Sequence, residues 1–140
     1  MSEYVLDTDH VSLFQRGHRQ VVAHVLAHPA DRLAVTIVTV EEQLRGRLSQ
    51  IRQACSGPSR LQSYARLHDA VDFFSQIRIL DFDAIADTHY EALRQQRIRI
   101  GSQDLRIAAI VLAVGGILVT RNAGDFRQVP GLPIEDWSQP

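Results

Sequence analysis

Acidic residues at four places raise the first chemical question: Asp7, the neighbours Glu41 and Glu42, Asp104 and Asp125. Three of them follow runs that read as buried strands. Asp7 comes straight after "YVL", with Thr8 and Asp9 behind it. Glu41 and Glu42 follow the β-branched run "LAVTIV", and Asp125 lies in the polar cluster after "GILV". Asp104 sits in the first turn of "SQDLRIAAIVLAV", a helix apolar nearly all round after Arg106 and hence expected to be buried. A carboxylate beside such a face needs a partner, and a metal ion would serve. Carboxylates gathered with no histidine or cysteine nearby are hard-cation chemistry, Mg²⁺ or Mn²⁺. Such an ion bridges to phosphate oxygens, which points to hydrolysis of a phosphate ester.

Each acid, taken singly, also has an ordinary explanation. Asp7 or Asp9 suits a helix N-cap. Two acids so close repel, which favours a nearby cation. Glu41 pairs with Arg45 one turn on. Asp104 complements the helix dipole. Asn122 and Asp125 fit a capping box on a short helix. Periodicity does not select Glu42, because the apolar stripe at 40, 44, 48, 51 and 55 puts it almost opposite the core face. Gly46 shares its face, and a glycine inside a helix suggests room for a substrate or partner.

The elements that must position these acids alternate. "EYVL" reads as a strand, "HVSLFQRG" as a short helix stopped at Gly17, and "QVVAHVLAH" as a helix ended by Pro29. Residues 33–38 read as a strand, followed by an amphipathic helix from Val40 that "CSGPS" breaks. A helix is expected over 60–76, a strand at "IRILDF", a helix from Asp83 to about Arg97, and a helix over 102–114 stopped by Gly115-Gly116. "ILVT" and "LPIED" read as the last strands. This alternation predicts a parallel α/β sheet covered on both faces, with ligands beyond the carboxyl ends of its strands.

The chain has 140 residues, which fits one domain, 1–140, with a sizeable core. Its single cysteine, Cys55, excludes an internal disulfide and a cysteine-based zinc site. There is no signal-peptide pattern, and the longest uncharged apolar run, 107–119, is too short to span a bilayer. A soluble, cytoplasmic protein is expected. The net charge of −1 argues weakly against a general nucleic-acid binder. All 15 basic residues are arginine. Two groups, Arg94, Arg97, Arg99 and Arg106, and Arg45, Arg47, Arg52, Arg60 and Arg66, read chiefly as solvated helix faces, although arginine suits local phosphate patches. His24 and His28, Trp137 and Phe126 read as structural residues.

In "LDTDHVSL" (6–13), "TVEEQLRG" (39–46), "IGSQDLRIAA" (100–109), "LVTRNAGDF" (118–126) and "VPGLPIEDW" (129–137), the chain resembles the PIN-domain endoribonuclease toxins of VapC type, from bacterial toxin–antitoxin pairs. Residues 50–95 match only in length and helical character. The resemblance implies a PIN-like three-layer α/β sandwich, with a mostly parallel sheet of four or five short strands. It implies an acid quartet at Asp7, Glu42, Asp104 and Asp125, and so selects Glu42 over Glu41. Asp7 and Asp104, with Glu42, would hold Mg²⁺ (or Mn²⁺); Thr8, Thr120 and Asn122 would be polar supports. Asp125 stands where relatives often have the longer Glu, which implies action through a metal-bound water. Arg121 stands where some have a second Asn. The implied activity is metal-dependent cleavage of structured RNA, with tRNA among the candidates, leaving 5′-phosphate and 3′-hydroxyl ends. A small VapB-type antitoxin and a homodimer are implied as partners, with the helix 105–114 and the helix around Gly46 as contact surfaces.

Three other readings compete. "VLDTDHVS" also resembles the first motif of haloacid-dehalogenase-type phosphatases, but those usually need a later lysine, and this chain has none. The same acids could serve a DNA nuclease. A non-catalytic binding module could keep the fold alone.

Overall fold

The computed structural model describes residues 2–140. Five short parallel strands form its centre: β1 Tyr4–Leu6, β2 Leu33–Thr36, β3 Arg78–Leu80, β4 Ile117–Val119 and β5 Ile134–Glu135. They are ordered β3-β2-β1-β4-β5. The register sets Tyr4 beside both Leu33 and Ile117, and Val35 beside Ile79. Parallel neighbours need crossovers, and helices supply them. These are α1 Thr8–Gln15, α2 Arg19–Ala27, α3 Ile37–Gln53, α4 Gly57–Ser75, α5 Ala84–Gln95, α6 Ser102–Val114 and the single turn α7 Ala123–Phe126.

Strand alternation divides the core between the two faces of the sheet. Val5, Ala34 and Leu118 point to one side, where Ile107, Ala108 and Val111 of α6 and Leu93 of α5 cover them. Leu6, Val35 and Val119 point to the other, against Val11 of α1, Ala70 and Phe74 of α4, and Trp137. The sheet is therefore the middle of three layers, as the resemblance implied. It is parallel throughout.

Several local expectations are corrected. The second strand stops at Thr36, whose hydroxyl accepts the Thr39 N–H at 3.1 Å and starts α3. Ile37 and Val38 are β-branched, but the cap outweighs their strand preference. "CSGPS" does not separate two helices in full. Ser56 caps α4, and Gly57 and Pro58 lie in its first turn, where a proline loses no helical hydrogen bond. Helix α6 runs over the residues expected, and Gly115 ends it in a left-handed conformation at φ 66°. Its residues Leu105 and Ile107–Val111 are core, which leaves its ends, with Val114 exposed, at the surface. No helix among the described residues is long and apolar enough to cross a membrane.

Candidate active site

The chain leaves β1 to form β2 and β3 on one side, then returns to form β4 and β5 on the other. Beyond the carboxyl ends of β1 and β4 the connections therefore diverge and leave a crevice. A pocket of about 600 Å³ opens there. Asp7, Thr8, Glu42, Asp104 and Asn122, all singled out in the sequence, lie in its wall. Asp9, Ser12, Arg121 and Phe126 complete it. Thr120 and Asp125 are not part of this wall.

Asp7 reaches the pocket from the end of β1, whose pairing continues as its N–H donates to Val119 O at 3.0 Å. It is also the N-cap of α1, as its ordinary reading had it: Oδ1 accepts the His10 N–H at 2.8 Å. Oδ1 also meets His10 Nδ1 at 3.2 Å. The expectation that no histidine lies near the acids is thus corrected. His10 is 0% exposed. Its Nε2 accepts the Trp137 N–H at 3.2 Å, which places the ring proton on Nδ1, donating to Asp7. The ring fixes the carboxylate from behind. Sequence reading passed over His10; its signal was its place three residues after a cap, where a side chain turns back onto the carboxylate.

Glu42 and Glu41 separate cleanly. Glu41 is exposed, and its Oε2 accepts from Arg45 at 2.7 Å, the surface pair expected. Glu42 faces the pocket, and its Oε1 accepts from the Thr8 hydroxyl at 2.6 Å. Thr8 Oγ1 also lies 3.0 Å from Thr39 Oγ1, so a hydroxyl chain joins α1 to α3. The helical wheel misplaced Glu42 because the buried face of α3 near the site is polar: Thr39 and Gln43 are inside, while Leu48 is exposed. A Cβ at Gly46 would meet nothing within 4 Å, so the fold itself does not require that glycine.

Asn122 and Asp125 do not form a capping box. The Asn122 side chain makes no cap bond; its Nδ2 donates to Asp125 Oδ2 at 3.0 Å. Its backbone N–H donates to Thr120 Oγ1 at 2.9 Å. Thr120, buried at the end of β4, thus sets the turn, and Asn122 holds Asp125 beside the pocket. The cation that Asp9 needs is Arg121, whose Nε donates to Asp9 Oδ2 at 2.7 Å.

The acids sense one another. Burial raises the Asp104 carboxyl above its ordinary value, and Glu42, Asp7 and Asp125 then raise it further. Carboxylates from four separate segments therefore share one field. Among the described residues, however, no three acids, histidines or cysteines close around a single point. The donor set suits a hard cation, but one held by one or two carboxylates and its own waters. That is the usual manner of Mg²⁺ rather than of a fully protein-caged ion.

A parallel sheet of this order, with carboxylates gathered at its switch point, defines a doubly wound α/β protein with an acidic pocket. The PIN domain model matches residues 4–132, and the chain belongs to the PIN-domain family. The chain is 24% identical to Ribonuclease VapC1 of Haemophilus influenzae over 97% of its own length and 98% of that protein's. It is 25% identical to the tRNA(fMet)-specific endonuclease VapC of Salmonella typhimurium, over 98% and 99%. Among solved structures, VapBC2 from Rickettsia felis, bound to a DNA fragment from its promoter, superposes with a TM-score of 0.74. That match has 27% identity and covers 96% of this chain and 98% of the other.

Proposed function

We propose that this protein is an endoribonuclease toxin of VapC type, dependent on Mg²⁺ or Mn²⁺ and held in check by a small antitoxin. One observation carries the reading: Asp7, Glu42, Asp104 and Asp125, distant in sequence, share one field at the switch point of a PIN fold. The names of the relatives, ribonucleases and a tRNA endonuclease, support RNA as substrate and tRNA as the first to try. The VapBC neighbour supports an antitoxin partner. A homodimer is part of the same reading, and sedimentation of the isolated chain tests it.

Asp7 and Asp104 are the proposed direct carriers of the cation, with Glu42 and Asp125 adding charge around it. When bound, the ion supplies Lewis-acid polarisation of the phosphate and activation of water. The chain supplies the rest. His10 locks the Asp7 rotamer, the Thr8 hydroxyl holds Glu42, and Asn122 holds Asp125. Arg121, anchored by Asp9, is the cation in the pocket wall and suits a phosphate oxygen. Among the described residues no histidine lines the pocket, and both ring nitrogens of His10 are engaged. Hydrolysis by an ion-activated water, leaving a 5′-phosphate and a 3′-hydroxyl, is part of the same proposal.

The test incubates the purified chain, free of partner, with tRNA in Mg²⁺, Mn²⁺ or EDTA, with Asp7→Asn alongside. Discrete cleavage that needs metal and Asp7, with 3′-hydroxyl ends, supports the reading. Products ending in 2′,3′-cyclic phosphate reject the mechanism. Cleavage of DNA alone transfers the site to the rival nuclease reading.

A further inference from the structure

A second depression leads away from the acidic pocket. It is a groove of about 890 Å³ between α1, α3 and α4, and it shares Asp9 and Ser12 with the pocket wall. Three guanidiniums, Arg16, Arg47 and Arg66, lie along it. Of the two carboxylates present, Asp9 is already taken by Arg121, which leaves Asp69. Among the described residues Arg16 and Arg66 form no ion pair.

The fold leaves polar groups in this groove without partners. Arg47 Nε is buried and has no acceptor, and Nη2 makes only a 3.5 Å contact with Gln15 Oε1. That same oxygen accepts from Gln43 at 2.7 Å. Burial depresses the Arg47 guanidinium below its usual range, and the neighbouring Arg66 charge adds to this, only partly countered by Asp69. A second orphan, Gln50 Oε1, is a buried acceptor with no donor in the same wall. An unmet buried donor or acceptor is costly, so water or a ligand entering the groove must complete its bonding. The missing partners are an anion for Arg47 and Arg66 and a donor for Gln50. A ribose phosphate offers both, through its phosphate oxygens and its 2′-hydroxyl. An acidic peptide offers both as well, through its carboxylate and backbone N–H, but the groove opens from the acidic pocket through Asp9 and Ser12, which favours the strand that the pocket holds.

We infer that this groove is a binding track for the ribose-phosphate backbone of RNA leaving the acidic pocket. Arg47 and Arg66 take a phosphate there, and Gln50 takes a 2′-hydroxyl. The inference rests on the ribonuclease reading for its substrate, and extends it to residues outside the acid quartet.

The experiment measures binding of fluorescein-labelled oligouridylate, the matching oligothymidylate and an oligoglutamate peptide to the full chain in EDTA, across a salt series. Arg66→Glu is the first variant, since Arg66 is exposed; Arg47→Gln and Gln50→Leu follow, each checked by its melting midpoint. The expected result is a loss of RNA affinity of about tenfold or more in Arg66→Glu, with the salt slope falling by about one. Gln50→Leu should narrow the preference for RNA over DNA. Unchanged RNA affinity in folded Arg66→Glu overturns the inference. So does a glutamate peptide whose binding falls in the arginine variants while RNA binding does not, because the groove then belongs to a protein partner. Cleavage of tRNA is scored separately. A wild-type chain that binds RNA through these residues but cuts none sustains the groove and defeats the nuclease reading. One that cuts with the same kcat and KM in Arg66→Glu does the reverse.

Discussion

Two polar regions meet at Asp7, and they are built on opposite principles. Behind it lies a closed network. His10 bonds Asp7 through Nδ1 and receives the Trp137 N–H at Nε2, while Asp136 accepts the Ser138 N–H at 2.8 Å. Burial works to raise Asp136, but the hydroxyl and backbone bonds from Ser138, joined by neighbouring positive charge that includes Arg121, hold its carboxyl below its ordinary value. In front lies the open pocket, where Asp104 is raised by burial and by three neighbouring acids. The rear network is satisfied and stabilises the fold. The front carboxylates repel one another, and on the proposed reading an incoming cation relieves them at neutral pH. Buried polar groups that are paired support a structure, while groups left in mutual repulsion mark a site.

The largest effect that sharpens this contrast is on stability. His10→Ala removes a fully buried ring and leaves the Trp137 N–H without an acceptor. It should cost about 3 kcal/mol, read by urea denaturation. A loss within experimental error would break the claim that the rear network is structural. A smaller effect should fall on catalysis. Thr8→Val keeps the shape of the side chain but frees Glu42 from its 2.6 Å bond. RNA cleavage should fall about tenfold, with little change in melting temperature. Equal losses of stability and activity would place Thr8 with the rear network instead. The smallest effect is a gain. Gly46→Ala meets open space on an exposed stretch of α3 and should stabilise the chain by up to about 1 kcal/mol, with cleavage unchanged. A drop in cleavage would mean that RNA needs the room beside Gly46.

The sequence spoke most clearly where one physical rule acted alone. Helix α6 was readable to the residue, because its apolar run, its first-turn acid and Gly115 agree. The α4 start was obscured because Gly and Pro break helices inside yet suit a first turn, and Ser56 supplies the cap. Glu42 was hidden by a helical wheel that counts apolar residues, when Thr39 and Gln43 are the inward ones. The resemblance named Glu42 where periodicity could not. The Asp9–Arg121 pair and the His10–Trp137 bond depend on which chain segments the sheet order brings together. Parallel order β3-β2-β1-β4-β5 is a long-range outcome that local patterns do not carry.

The central claim, that the front carboxylates await a cation, is tested most directly by the stability of wild type and Asp104→Asn in EDTA and in Mn²⁺ across pH. Because the folded Asp104 carboxyl is raised, the native chain holds this proton more tightly than the unfolded one. That stabilisation is complete below the ordinary aspartate value, near 3.8, and is lost as pH rises through the folded value. In EDTA at neutral pH the variant should therefore be the more stable of the two, and Mn²⁺ should reverse the order by binding wild type better. A variant less stable than wild type in EDTA, or a Mn²⁺ gain equal in both chains, would contradict the account.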